Sequence, residues 1–263
     1  MITDPKRLRE FVATMGRSLP KAMMNVFGST AILCILCGTS FGESNDQVKP
    51  YLKRLESSNV ADSTAAAKFL VDNWKNSLMP LIIELATFEK IAASPTQSDD
   101  DVKAMIAVTD VLRTILANKE KEGALNDFTD HDSAQVIVAL AWMARGNVRA
   151  LRINSTYILA NVVDNTNVCI VLDHLRDPKI HVDGRINLLQ AIQPVASSAY
   201  QDNAELIKNS LTVVERNAGN DTKVSALINE INQRTATSTN IKKPFISAGK
   251  SATCPKDRFP LQK

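Results

Sequence analysis

Apolar residues recur every three or four positions along most of the chain after Glu43, and short polar breaks rich in Asp and Asn separate the runs. This spacing is typical of amphipathic helices that bury one face. The most regular run consists of Val148, Leu151, Ser155, Ile158, Leu159 and Val162. Long runs that alternate strictly between apolar and polar residues, which would indicate strands, do not occur. The sequence therefore predicts an all-α fold.

Turn residues and charges indicate where several helices begin and end. Pro80 suits the first turn of a helix, because its missing N–H is not needed there. The acidic run 99–101 suits the start of the next helix, where the helix dipole favours negative charge. Gly146 is expected to end a helix that starts near Ser133, and Pro194 is expected to kink a later helix.

The predicted helices follow a rhythm of a short helix and then a longer one. Longer helices are expected to begin near Val148, Val182 and Thr222, at intervals of 34 and 40 residues. The tetrapeptide Ile-Leu-Ala-Asn occurs at 115–118 and again at 158–161, 43 positions later, each time toward the end of a long helix. Periods of this length are typical of solenoids built from helix pairs. We therefore expect helix pairs that stack along the chain.

The segment Tyr157-Ile158-Leu159-Ala160-Asn161-Val162 is followed by a turn and a short helix, and it resembles the last helix of an armadillo or HEAT-like repeat. The resemblance to these families covers about residues 100–235. The resemblance implies a right-handed α-solenoid that binds a protein or peptide partner on a concave face and has no catalytic activity. In an armadillo unit the Asn of this helix holds the backbone of an extended peptide. By the resemblance Asn161 and Asn118 would do so here, and Gln193 and Arg152 would add to the same face.

An uncharged stretch from 22 to 42 follows the bases Arg17 and Lys21 and contains an apolar run at 26–37. A basic flank, an apolar run and small residues near Gly42 are the pattern of an export signal cleaved before Glu43. An uncleaved membrane anchor is the first alternative, since about 20 uncharged residues can span a bilayer. An internal hydrophobic helix is the second. We expect the protein to be exported to the periplasm or the cell exterior, and membrane-anchored if the segment is retained.

These observations divide the chain into a basic N-terminal region with the signal or anchor at 1–42, a helical-repeat domain at 43–234 and a flexible basic tail at 235–263. The central domain is mildly acidic, with 20 bases and 25 acids, whereas the tail carries six bases and one acid. A protein that binds nucleic acid needs a basic face to displace counterions. The charge distribution therefore indicates no nucleic-acid partner, and a membrane contact only through 22–42.

No G-x-S-x-G, P-loop or dinucleotide motif occurs in the sequence, and the S-x-x-K at 18–21 precedes the apolar run without its companion motifs, so we predict neither an enzyme nor a bound cofactor. An unrecognised hydrolase or metal enzyme would need the residues around one predicted turn, which are Asp173, His174, Asp177, His181 and Asp183. Ordinary helix-end chemistry accounts for the same residues. Arg145, Arg149 and Arg152 lie close together in sequence and are expected to pair with neighbouring carboxylates, the alternative being a clamp for a partner's carboxylate or phosphate.

Four cysteines are consistent with an exported protein. Cys34 and Cys37 lie in the apolar run, where we expect them to be small apolar residues. Cys169 is expected as a buried thiol and Cys254 as a free one, with a disulfide between them as the alternative. Taken together, the sequence predicts an exported protein-binding module of helical repeats. A membrane-anchored structural protein of the cell envelope is the alternative.

Overall fold

The computed structural model describes residues 47–119, 133–164, 167–194 and 196–237. All regular secondary structure in these ranges is helical, which confirms the all-α prediction. From Val48 onward the described helices belong to one compact unit. The predicted signal or anchor at 1–42, Cys254 and nearly all of the predicted tail lie outside the described residues.

Eleven helices occupy the described ranges. They are α1 (47–55), α2 (Val60–Asp72), α3 (Trp74–Thr87), α4 (Glu89–Ala93), α5 (Asp99–Lys119), α6 (Ser133–Arg145), α7 (Arg149–Val162), α8 (Val168–Arg176), α9 (Val182–Ile192), α10 (Ala196–Ala218) and α11 (Thr222–Thr237). The starts of α7, α9 and α11 follow polar breaks in the apolar pattern. Helix α11 continues three residues beyond the predicted domain boundary at 234.

The helices contact one another in two series. Helices α5, α7, α9 and α11 touch in succession and are called the odd layer, and helices α4, α6, α8 and α10 touch in succession and are called the even layer. Consecutive members α6 and α7, α8 and α9, and α10 and α11 also contact each other across the two layers. Helices α2 and α3 pack at the N-terminal side, against α5 and, in the case of α3, against α6.

The core lies between the layers and consists of aliphatic side chains. Buried residues from both layers join one continuous cluster, among them Leu112, Ile115, Ile137, Leu140, Ile158, Leu159, Leu172, Leu188 and Leu189. Burying one such side chain contributes about 1.5–3 kcal/mol, so the layers are held together mainly by apolar contact. The predicted stripe of α7 is buried in this cluster at Leu151, Ile158, Leu159 and Val162, as expected.

The three predicted helix starts are confirmed, but the rhythm of a short helix followed by a longer one fails at the last pair, because α10 has 23 residues and α11 has 16. Helix α7 begins directly after Val148, α9 begins at Val182, and α11 begins at Thr222. The two Ile-Leu-Ala-Asn segments end one residue before the ends of α5 and α7. Because α5 and α7 contact each other, the repeated tetrapeptide occupies equivalent positions in neighbouring helices of the odd layer.

Two predictions that involved proline were wrong. Helix α3 begins at Trp74, so Pro80 lies inside the helix and is buried there. Trp74 and Leu78 are buried upstream of it, and the apolar contact that they gain outweighs the backbone hydrogen bond that a proline cannot donate. Pro194 does not kink a helix, because α9 ends at Ile192 and a new helix starts at Ala196.

Candidate functional site

Three successive turns, at 146–148, 177–181 and 219–221, join α6 to α7, α8 to α9 and α10 to α11. Arg152 of α7 reaches back to the first turn, where its Nη1 donates to the carbonyl oxygens of Gly146 and Asn147 at 3.2 and 3.0 Å. Its Nη2 lies 3.6 Å from Oδ2 of Asp183 at the start of α9. Arg152 therefore supports a helix end and links two neighbouring pairs, and little of its guanidinium is left for a partner.

Arg145, the last residue of α6, connects the first turn to the second. Its guanidinium forms an ion pair with Asp177 and lies 4.5 Å from the centre of the Trp142 ring. Its Nη1 is also 3.4 Å from Nδ1 of His174. Since arginine can only donate, this contact assigns the neutral tautomer of His174 with its proton on Nε2. The expected pairing with nearby carboxylates is confirmed for Arg145 and Arg152, whereas Arg149 has no such partner among the described residues.

The environment shifts the pKa of both partners of Arg145. Burial and the neighbouring Arg145 charge lower the pKa of His174 to about 4 from 6.5, against an opposing effect of Asp177. Burial raises the pKa of Asp177, but hydrogen bonds and charge from Arg145 and Lys179 outweigh that effect and hold it below its usual value. At neutral pH the cluster therefore contains one carboxylate, one guanidinium and an uncharged imidazole.

A buried arginine ties the second turn to the third. Arg185 of α9 is 2% exposed, and it donates to the carbonyl oxygens of Asp177 and Asn217 at 3.2 and 3.1 Å. Asn217, near the end of α10, donates in return to the carbonyl oxygen of Arg176 at 3.1 Å. Burial lowers the pKa of Arg185, and the nearby Asp177 charge opposes that shift. Polar side chains thus join all three turns in one network, which we call the turn network.

Most of the residues that a metal enzyme would have needed are used in other contacts around these turns. His174 faces Arg145, Asp177 is paired, and Nδ1 of His181 accepts from the backbone N–H of Asp183 at 3.3 Å to cap α9. Within the described ranges, no three His, Cys, Asp or Glu side chains gather into a group that could hold a metal ion. The hypothesis of a metal or catalytic centre at this turn therefore gains no support from the geometry.

The remaining residues predicted for a concave binding face are placed differently from one another. Asn118 is exposed near the end of α5, and Gln193 is half-buried just after the end of α9. Asn161 is only 6% exposed, and its Nδ2 donates to the carbonyl oxygen of Tyr157 one turn earlier at 2.8 Å.

A second polar cluster joins α5 and α7 and was not predicted. Asn154 of α7 is 4% exposed, yet both ends of its amide are used. Its Oδ1 accepts from Nη1 of Arg113 at 3.2 Å, and its Nδ2 approaches Oγ1 of Thr109 at 3.4 Å. Thr109 is itself anchored, because its hydroxyl donates to the carbonyl oxygen of Met105 at 2.7 Å. This chain of contacts leads from the buried helix surface to an exposed guanidinium on α5.

Two further side chains of α7 complete the surface around Arg113. The guanidinium lies 6.0 Å from the centre of the half-buried Tyr157 ring. Ile153, one turn before Tyr157, is 46% exposed, which is unusual for a large aliphatic residue of a described helix. We call Arg113, Ile153, Asn154 and Tyr157 the α5/α7 face. Tyrosine and arginine are the residues most enriched at the energetic centres of protein interfaces.

Sequence reasoning overlooked the α5/α7 face because none of its residues belongs to a motif. One signal was present, since the polar Asn154 lies beside Leu151 and Ser155 at positions that the helical period buries. A buried amide needs partners, which predicts a polar residue on a neighbouring helix. The sequence could not show that this neighbour is Arg113, 41 positions away.

Cys169 is buried and disulfide-bonded, so the prediction of a buried free thiol was wrong. The other three cysteines lie outside the described residues. None of the described helices combines the length and the apolar character that crossing a lipid bilayer requires.

Comparison of the chain with family models, with curated proteins and with solved structures gives no match.

Proposed function

We propose that the chain is an exported protein-binding module, built as a right-handed α-solenoid of armadillo or HEAT type, that holds a protein or peptide partner without catalysis. The odd and even layers support this architecture, because each helix contacts its equivalent in the next pair. The turn network supports it as well, since it fixes the relative positions of three successive pairs. A rigid stack presents its outer side chains at fixed spacing.

The α5/α7 face is the observation that carries the proposal. Its arginine and tyrosine are held by neighbours, and Ile153 adds exposed apolar area beside them. Side chains that are ordered before binding lose less conformational entropy when a partner arrives. Asn118 is exposed near the end of α5. In this proposal Asn161, Gln193 and Arg152 shape and support the surface more than they touch the partner.

Export is part of the proposal and rests on the apolar segment at 22–42 together with the disulfide of Cys169. Disulfides persist in the periplasm and outside the cell, whereas cytosolic thiols are kept reduced.

The chain offers a matched pair of residues for testing the binding surface. Ile153 on α7 and Ile83 on α3 are both isoleucines and both 46% exposed, but only Ile153 belongs to the α5/α7 face. Random 12-residue peptides displayed on phage are selected against the purified wild-type protein, and the enriched peptides are then tested against both variants. We expect Ile153→Ser to weaken binding at least about fivefold, the loss of about 1 kcal/mol of apolar contact, and Ile83→Ser to leave it unchanged.

Thermal unfolding of both variants serves as the folding control, and we expect both to melt within a few degrees of the wild-type protein. Failure to enrich any peptide against the wild-type protein contradicts the binding function. Equal loss for Ile153→Ser and Ile83→Ser contradicts the assignment of the surface.

A further inference from the structure

The hydrogen bonding of Arg113 leaves one edge of its guanidinium unused. Nη1 donates to Asn154, whereas Nε and Nη2 have no hydrogen-bond partner within the described part of the chain. A guanidinium carries five N–H donors in a planar fork, and the edge formed by Nε and Nη2 matches the two oxygens of a carboxylate. The unused edge is therefore the one suited to bidentate recognition.

Arg113 also lacks a counterion, although the domain around it is mildly acidic. Asp110 lies one turn earlier on α5, but no carboxylate of the described residues is within the 4.0 Å of an ion pair with Arg113. By contrast, Arg54, Arg145 and Arg152 each pair with an aspartate. Arg113 is thus a full positive charge whose contacts within the described ranges are an amide oxygen and an aromatic ring.

Two other exposed arginines show what is special about this position. Arg149 and Arg216 have no polar contact within the described ranges, and nothing there holds their side chains. Arg113 is fixed by Asn154 and lies over Tyr157, so that its orientation is set before any ligand binds. A fixed, uncompensated guanidinium beside an exposed isoleucine is complementary to an acidic side chain next to an aliphatic one.

We propose that Arg113 binds the side-chain carboxylate of an Asp or Glu in the partner polypeptide, and that an aliphatic residue beside this acidic residue packs on Ile153. This inference rests on the proposed function and names the partner chemistry of the same face. In the bound state the carboxylate accepts from Nε and Nη2, while Nη1 keeps its bond to Asn154. Tyr157 shields the ion pair from water on one side and thereby strengthens it.

The test uses a peptide enriched against the wild-type protein, synthesised with an acetylated N-terminus and an amidated C-terminus so that side chains supply the only carboxylates. Its affinity is measured by fluorescence anisotropy for the wild-type protein and for three variants. Arg113→Gln removes the charge, Arg113→Lys keeps the charge but loses the fork, and Arg216→Gln on α10 is the control with the same change in net charge. A second peptide carries Gln or Asn in place of its acidic residue.

We expect the enriched peptides to share an acidic residue next to an aliphatic one. Charge-assisted hydrogen bonds contribute about 1.5–3 kcal/mol, so Arg113→Gln should weaken binding about 10- to 100-fold, while Arg216→Gln changes it less than about twofold. Arg113→Lys should recover only part of the loss. The neutral peptide should bind the wild-type protein as weakly as the acidic peptide binds Arg113→Gln, with no further loss when both changes are combined.

The outcomes separate this inference from the proposed function. Peptides that bind through Ile153 but lack an acidic residue, or that bind Arg113→Gln as tightly as the wild-type protein, overturn carboxylate recognition and leave the binding function in place. Equal losses in Arg113→Gln and Arg216→Gln also overturn it, because they show only a general effect of charge. No enrichment of any peptide against the wild-type protein overturns both proposals.

Discussion

Gly184 of α9 lies directly against the backbone of Arg145 in α6: a Cβ atom placed on Gly184 would be 2.8 Å from the Cα of Arg145 and 2.9 Å from its carbonyl oxygen. Real Cβ atoms do not approach backbone this closely. The absence of a side chain at Gly184 therefore lets α9 cross α6 tightly enough for the turn network to form around Arg145 and Asp177.

Replacing Gly184 by alanine should destabilise the protein although alanine is the better helix former. The gain in helix propensity is about 1 kcal/mol, whereas overpacking against backbone costs about 1–3 kcal/mol and also displaces Arg145. We expect Gly184→Ala to lower the free energy of unfolding in urea. Gly146→Ala is the control, because a Cβ there would meet its nearest atom at an ordinary 3.4 Å. A Gly184→Ala protein as stable as Gly146→Ala would show that α6 and α9 are not in close contact.

The stability of the protein should fall as the pH drops from 6.5 toward 4, in part because of His174. The folded state lowers the pKa of His174 to about 4 from 6.5, so the unfolded chain binds this proton first as the pH falls. The stabilising effect is complete above pH 6.5 and is lost progressively toward pH 4. A pKa difference of this size between the folded and unfolded states changes the free energy of unfolding by at most about 3 kcal/mol. The lowered pKa of Asp177 acts in the same direction at still lower pH.

Urea unfolding of the wild-type protein and His174→Gln at several pH values between 4 and 7 measures this contribution. We expect the variant to lose less stability over the range than the wild-type protein, since glutamine does not titrate. His181→Gln, which changes an exposed histidine outside the ion pair, is the comparison. Parallel stability profiles for His174→Gln and the wild-type protein would show that His174 is not buried beside Arg145.

Arg185→Met should destabilise the protein even though methionine fills similar space without a buried charge. The substitution leaves the carbonyl oxygens of Asp177 and Asn217 without their donor, at about 1–3 kcal/mol for each unsatisfied group. Part of this loss is offset, because the folded variant no longer bears the cost of removing a guanidinium from water. We expect a net loss of about 2 kcal/mol in urea unfolding and no loss for Arg216→Met. A more stable Arg185→Met protein would mean that the network does not hold the turns together.

The disulfide of Cys169 should be detectable by peptide mapping without reduction. We expect the peptide that contains Cys169 to be joined to another cysteine peptide. Cys254 is the partner expected from the sequence if Cys169 forms a disulfide. Reduction should lower the free energy of unfolding by about 2–4 kcal/mol, and Cys169→Ala should be insensitive to reductant. Alkylation of Cys169 in the unfolded, unreduced protein would contradict the disulfide.

Much of the helical framework could be predicted from the sequence because it depends on local periodicity. The starts of α7, α9 and α11 follow from apolar spacing and from the polar breaks before them. The predicted start of α3 near Pro80 was wrong because the helix begins at Trp74, where Trp74 and Leu78 are buried. A local rule for proline does not take such burial into account. Tertiary packing decided that boundary.

The candidate site was much less predictable, because it depends on pairs of residues that are distant in sequence. The sequence predicted for Arg152 both a neighbouring carboxylate and a place on the binding face, but it could not show that the carboxylate is Asp183 or that the same guanidinium bonds to a turn of its own stack. The amide of Asn161 satisfies its own helix backbone. The role of Arg113 could not be predicted from the sequence, since only the fold brings Asn154 and Tyr157 beside it. Whether a polar side chain is free or committed is decided by these contacts.

Hydrogen–deuterium exchange of the protein with and without a selected peptide tests the central claim most directly, since it locates the partner on the stack. We predict slower exchange upon binding in the parts of α5 and α7 around Arg113 and Ile153, with α3, α8 and α10 unchanged. Protection confined to those other helices, or no protection at a saturating peptide concentration, would contradict the α5/α7 face as the binding surface.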